Sequence, residues 1–188
     1  MQNKKRLMAT KTLAYCALLS ALSVVLARMI IPMLDSSTRF SIEAVPIFIA
    51  GMLFGPLAGG LVGFVADATG TLFSPYGFNP IFCVPPILYG VCGGLFRHFL
   101  SKGVTISRLT ASLLPPVVFG SLLYQSMTLA IVYPTGTFLQ SFLLKLTTRS
   151  VQFAITGVLD VLVIYLLFKS RIFTRMGLWP ARKRQNKE

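Results

Sequence analysis

Long apolar runs broken by short polar or Pro/Gly-rich segments dominate the chain, at 12–31, 42–72, 80–100, 109–132 and 142–168. A helix that crosses a bilayer needs about 20 mostly apolar residues to traverse about 30 Å of hydrocarbon, so each run is long enough to cross at least once. The run 42–72 is too long for one crossing, and Gly55-Pro56 interrupts it near its middle, which predicts two shorter helices. The pattern therefore predicts an all-α, polytopic membrane protein. Its six transmembrane helices fall at about 12–32, 42–54, 56–72, 80–100, 109–132 and 142–168, in a single membrane domain covering 1–188, with basic tails at 1–11 and 169–188.

Composition places the chain in a bilayer, because 54% of residues are hydrophobic, only 12% are charged, and the mean hydropathy is +0.73. The net charge of +13 is not a nucleic-acid signature, since the cations sit at helix ends and in tails rather than among aromatics. They act instead as topology signals. Lys4, Lys5, Arg6 and Lys11, then Arg97, Lys102 and Arg108, then the cations from Lys169 to Lys187 form three basic groups. If all three are cytoplasmic, three crossings must separate the first helix from Arg97, which requires 42–72 to cross twice and leaves both termini in the cytoplasm. The apolar run after Lys11 exceeds a signal-peptide core of about 7–15 residues and lacks a small-residue cleavage site, so it is expected to be kept as the first span.

Arg28, Arg39, Lys145 and Arg149 fall on the opposite side of this topology. Cations at membrane depth are costly, as is Asp67 within GFVADATG, and these residues are candidates for function. Asp160, in the middle of the last helix, is expected to make a structural polar contact. Cys16, Cys83 and Cys92 lie in apolar runs without CxxC spacing and are expected to be small apolar fillers. Gly51, Gly55, Gly59 and Gly63 recur every four residues, and Gly90 and Gly94 repeat the spacing, which predicts close internal helix packing. Ala17 and Ala21, with Ala14 and Ser20 beside them, form a small-residue face on which another subunit's helix can pack. The chain has no GxxxxGK[ST] loop, one histidine (His98) and no paired carboxylates, so neither a catalytic constellation nor a metal cluster is expected.

The segment RFSIEAVPIFIAGMLFGPLAGGLVGFVADATGTLF at 39–73 resembles the helix 2–helix 3 signature of the substrate-binding S components of energy-coupling factor (ECF) transporters. With ALLSALSVVLAR at 17–28, it is most similar to the folate-specific members. The segment 76–96 resembles their outer loop and fourth helix, whereas 125–140 lacks the Asn-Thr pair of their fifth. The resemblance implies a multi-pass protein of the bacterial plasma membrane with an outward-opening cavity. It also implies partners: an ECF transmembrane coupling protein, docked on Ala17 and Ala21, and two ECF ATPases, which use ATP while this chain holds no cofactor.

For a folate, Asp67 would accept hydrogen bonds from the pterin's amino and ring N–H groups, and Arg28 would pair with Asp67 or with the pterin's oxygen side. Arg149 and Lys145 would complement the glutamate carboxylates, with Arg39 steering the anion at the rim. Phe40, Tyr76 and Phe78 would stack on the rings, and Asn79 would add a polar contact. Two alternatives remain open: an S component for another vitamin, such as riboflavin, pantothenate or a queuosine precursor, and a self-sufficient secondary transporter.

Overall fold

The computed structural model of the chain describes residues 2–28, 31–32, 39–40, 42–72, 79–134 and 136–179, with the backbone alone for 2–9, 31–32 and 39–40. Helix α1 runs Gln2–Arg28, so the basic segment before residue 12 continues the first helix instead of forming a separate tail. A two-residue antiparallel pair follows, β1 (Ile31–Pro32) with β2 (Arg39–Phe40), in the register Ile31↔Phe40 and Pro32↔Arg39. Helices α2 (Ala44–Phe54) and α3 (Pro56–Leu72) are separated by Gly55 alone. Gly55 has φ +101, which side-chain-bearing residues rarely adopt, and Pro56 starts the next helix where no N–H partner is needed. The break expected at Gly55-Pro56 is thus a one-residue corner.

The 11 residues of α2 rise only about 16 Å, roughly half the hydrocarbon thickness, and every residue from Val45 to Leu53 is buried. A helix that is apolar all round is one enclosed by other helices. Asn79 caps a 3₁₀ turn, Pro80–Cys83, by accepting the Ile81 N–H at 3.2 Å, and α4 (Val84–Leu95) and the short α5 (Arg97–Ser101) follow, so the single helix expected at 80–100 is made of three pieces. Glycines join α2, α3 and α4 into one block. A Cβ on Gly90 would overlap the backbone of Gly59 and Gly60, one on Gly51 would overlap that of Gly90 and Gly94, and one on Gly63 would overlap that of Pro86. The four-residue glycine spacing is therefore spent on backbone approach inside this protein.

Helix α6 (Ile106–Pro115) passes through a π-helical stretch, Pro116–Tyr124, into α7 (Gln125–Val132). Pro115 and Pro116 withdraw two successive N–H donors from the α-helical ladder, and the chain widens there. Helix α8 (Phe138–Lys169) opens with a capping box between Thr137 and Gln140. After it, α9 (Ile172–Arg175) turns the chain back, and the buried Trp179 meets Phe168 edge-on at 5.2 Å, so the segment after 169 is partly packed on the bundle.

The outer surface is rich in large apolar side chains, and polar ones share the interior with the apolar core. Leu57, Leu61, Leu13 and Leu139 face outward, while Ser112, Ser126 and Ser141 are fully buried. The segments Thr10–Arg28, Ile106–Val132 and Phe138–Arg175 are long and apolar enough to cross a bilayer, with Ala44–Phe54 and Pro80–Leu95 as shorter apolar helices. The protein is a polytopic, all-α membrane protein.

Candidate functional site

The helices run alternately up and down, and their contacts fix which ends lie together. Tyr15 stacks on Phe54 at 6.2 Å, while Ser23 donates to the Glu43 carbonyl at 2.8 Å, so α1 and α2 are antiparallel. The ends of α1 and α3 and the starts of α2, α4 and α8 consequently gather at one end of the bundle. A cavity of about 620 Å³ opens there. Arg97, Lys102, Arg108, Lys169 and Arg175 belong to the opposite end.

Of the residues expected at the site, Arg28, Asp67, Asn79, Lys145 and Arg149 all line this cavity. Arg39 and Phe40 form β2, with only their backbones described, and Tyr76 and Phe78 lie outside the described residues. Ala17 and Ala21 are absent from the cavity wall and exposed on the outer face of α1, beside Leu18 and Leu22.

Local contacts revise one expectation and add to another. Cys83 is not an inert filler: its thiol donates to Asp67 Oδ2 at 2.9 Å. Arg28, expected to face Asp67 or a ligand oxygen, donates through Nη2 to the carbonyl of Gly70, about one turn beyond Asp67 on α3. This contact holds the end of α1 against the end of α3 and leaves the guanidinium in the cavity wall. Arg149 lies over the ring of Phe153 at 5.8 Å, and both line the cavity.

Helix α8 contributes more than its two cations. Lys145, Arg149, Gln152, Thr156 and Asp160 follow one another at spacings of four, three, four and four, which places them on one face of a 3.6-residue helix, and all five line the cavity. Counting along α8 from Lys145 would have found the last three. Asp160 is 5% exposed, and among the described residues its Oδ1 has no hydrogen-bond partner, so the structural contact expected of it is missing for that oxygen. Glu43 just before α2, Gln125 on α7, and Tyr89 with Ser121, whose hydroxyls are 3.2 Å apart, add to the polar lining. None of these four is marked by the sequence pattern. Three basic side chains (Arg28, Lys145, Arg149) and three acidic ones (Glu43, Asp67, Asp160) therefore face one space. Such a wall suits a ligand with an anionic part and a part rich in N–H donors. Among the described residues no cluster of His, Cys, Asp and Glu is arranged to hold a metal ion.

Comparison with known proteins follows the same direction. Residues 7–171 match the family described as ECF-type riboflavin transporter, S component. The chain is 28% identical over 152 residues to "Folate transporter FolT" of Clostridium novyi (strain NT), covering 80% of this chain and 84% of that protein. Its fold is similar to the crystal structure of FolT bound with folic acid, with a TM-score of 0.70 and 25% identity, covering 86% of this chain and 94% of the other.

Proposed function

Because this chain belongs to the S components of ECF-type transporters, matched across residues 7–171, we propose that it is the vitamin-binding subunit of an importer for folates. Membership makes it a transporter component and not an enzyme. The single observation that carries the choice of folate is the set of three cations, Arg28, Lys145 and Arg149, facing the cavity together with Asp67. A folate has a glutamate tail with two carboxylates and a pterin edge of N–H donors. The cations of α8 take the tail, and Asp67, oriented by the Cys83 thiol, accepts from the pterin. Arg28 lies beside the ring, with Asn79 at the rim. A relative and a similar structure that bear the name of a folate transporter support this reading.

Riboflavin is the alternative reading, favoured by the description of the matching family. It carries no carboxylate, so Lys145 and Arg149 would remain in the cavity wall with no ligand charge to meet. A cation pair at membrane depth that no part of the ligand uses is a cost without a function, which weighs against it.

In the cell, the basic groups at the far end of the bundle face the cytoplasm of a bacterium and the cavity opens outward. The chain holds the vitamin without using ATP. A transmembrane coupling protein docks on the exposed Ala17 and Ala21, where small side chains let a partner helix approach closely, and two ATPases drive release to the inside. Mass spectrometry of the small molecule that stays bound through gentle purification tests the ligand: a folate is expected, and a flavin without any pterin would refute the assignment.

A further inference from the structure

We propose that the hook after α8, formed by α9 and the residues on either side of it, is a binding site for anionic phospholipid headgroups at the membrane surface. Charge is segregated along the bundle. The acids among the described residues, Glu43, Asp67 and Asp160, all line the cavity at one end. Lys169, Arg171 and Arg175 are exposed at the other, where no carboxylate among the described residues answers them. From Lys169 to Lys187 the chain carries seven cations and no acid. A cluster of about four to eight cations directly after a membrane-crossing helix is the pattern that anionic lipid attracts.

The hook is a built element and not a frayed helix end. Arg171 has φ 58 and ψ 19, a left-handed conformation that side-chain-bearing residues rarely adopt. Packing beyond it holds the turn: the Phe173 carbonyl accepts from the N–H groups of Leu178 at 2.9 Å and Trp179 at 3.2 Å, and Phe168 meets the Phe173 ring at 4.9 Å. The Arg175 N–H donates to the Arg171 carbonyl at 2.9 Å and the Met176 N–H to that of Ile172 at 3.0 Å, so each residue stands over the one four before it. One row therefore carries two arginines, and the next carries Ile172 and Met176, 44% and 48% exposed. Depth decides what meets these rows. Lys169, the last residue of α8, lies over the ring of Tyr165 at 5.9 Å, and at the same end of the bundle Arg108 lies over Phe99 at 5.3 Å. Aromatics paired with cations at the end of a membrane helix mark the headgroup level. A phospholipid supplies both rows at once: acyl chain for Ile172 and Met176, and phosphate oxygens for the forked donors of Arg171 and Arg175.

Trp179 is the chain's single tryptophan and packs on the hook, so its fluorescence reports what lies beside it. The test places the purified full chain in phosphatidylcholine nanodiscs in which a small fraction of lipid, either phosphatidylglycerol or phosphatidylcholine, is spin-labelled near its headgroup. Quenching of Trp179 is expected to show an association about fivefold or more stronger for the anionic lipid, the gain from about one cation near an anionic surface. Raising the salt should narrow that gap, because exposed charges are screened. Arg171→Asn combined with Arg175→Gln should bring the two lipids within about twofold at an unchanged melting midpoint, since asparagine tolerates the left-handed turn. Lys169→Gln with Arg175→Gln serves if the first protein does not fold. Equal quenching by both lipids in the wild type, or a preference that survives both double substitutions, would overturn the proposal. So would a preference lost only together with the melting midpoint, which marks a structural role. Quenching by neither lipid would also overturn it and leave the hook to a protein partner. None of these outcomes depends on which vitamin the cavity holds.

Discussion

Gly90→Ala tests the frame that holds the cavity. The new methyl would lie 2.8 Å from the Gly60 nitrogen and closer still to the carbonyl of Gly59, all of it backbone that no rotamer change can clear. Alanine gains about 1 kcal/mol over glycine in helix propensity, whereas forcing a methyl into a closed contact costs about 1–3 kcal/mol or more where helices must separate. Steric loss wins here, because Gly51 on α2 and Gly63 on α3 also hold α4 by backbone contact and leave it little room to yield. With every clash on backbone and well inside van der Waals contact, the cost falls at or above the top of that range, about 3 kcal/mol, so a net loss of about 2 kcal/mol or more is expected, which at about 2–4 °C per kcal/mol lowers the melting temperature by about 4 °C or more. Gly157→Ala is the matched control: nothing lies within 4 Å of its Cβ position, so propensity acts alone and stability rises by about 0.5–1 kcal/mol. Far-UV circular dichroism during heating in mild detergent reads both. Since α3 and α4 carry Asp67 and frame the Cys83 turn, Gly90→Ala should also weaken ligand binding while Gly157→Ala does not. A Gly90→Ala protein as stable as wild type would refute the close approach of α3 and α4.

Three further substitutions separate the roles assigned to the site. Arg149→Met should weaken folate binding by about 10- to 100-fold, the loss of a charge-assisted contact to the tail, and should barely affect an analogue without the glutamate; equal losses for both would place the tail elsewhere. Asp67→Asn should weaken folate by about tenfold or more in fluorescence-quenching titrations, and unchanged affinity would remove Asp67 from the site. Ala17→Trp, on the exposed face of α1, should leave folate affinity intact but abolish co-purification with the coupling protein and ATPases, and retention of the complex would show that docking lies on another face.

Much of the site is legible in the residue pattern alone. Charges at membrane depth are rare because they are costly, which is why Arg28, Asp67, Lys145 and Arg149 stand out along the chain, and all four meet in one cavity. The Gly51–Gly63 repeat is equally readable, since close helix approach in lipid leaves few other residue choices. Gln125, Ser121 and Tyr89 are not, because uncharged polar residues inside membrane helices can satisfy themselves within their own helix. Which of them faces the cavity depends on helix rotation, and in the fifth helical segment that rotation changes through the π-helical stretch after Pro116. Cys83 and Asp160 mislead for related reasons. Cys83 reads as an apolar filler, yet the 3₁₀ turn at Pro80–Cys83 brings its thiol to Asp67. Asp160 reads as a structural contact, yet one of its oxygens has no hydrogen-bond partner among the described residues and lies beside the cavity.

The most direct test of the central claim is a titration of the purified, ligand-free chain with folic acid, 5-formyltetrahydrofolate and riboflavin in parallel. Saturable binding of the folates with one site per chain, and none of riboflavin at the same concentrations, is the result expected from a cavity walled by Arg28, Lys145, Arg149 and Asp67. Tight binding of riboflavin with no response to either folate would contradict it.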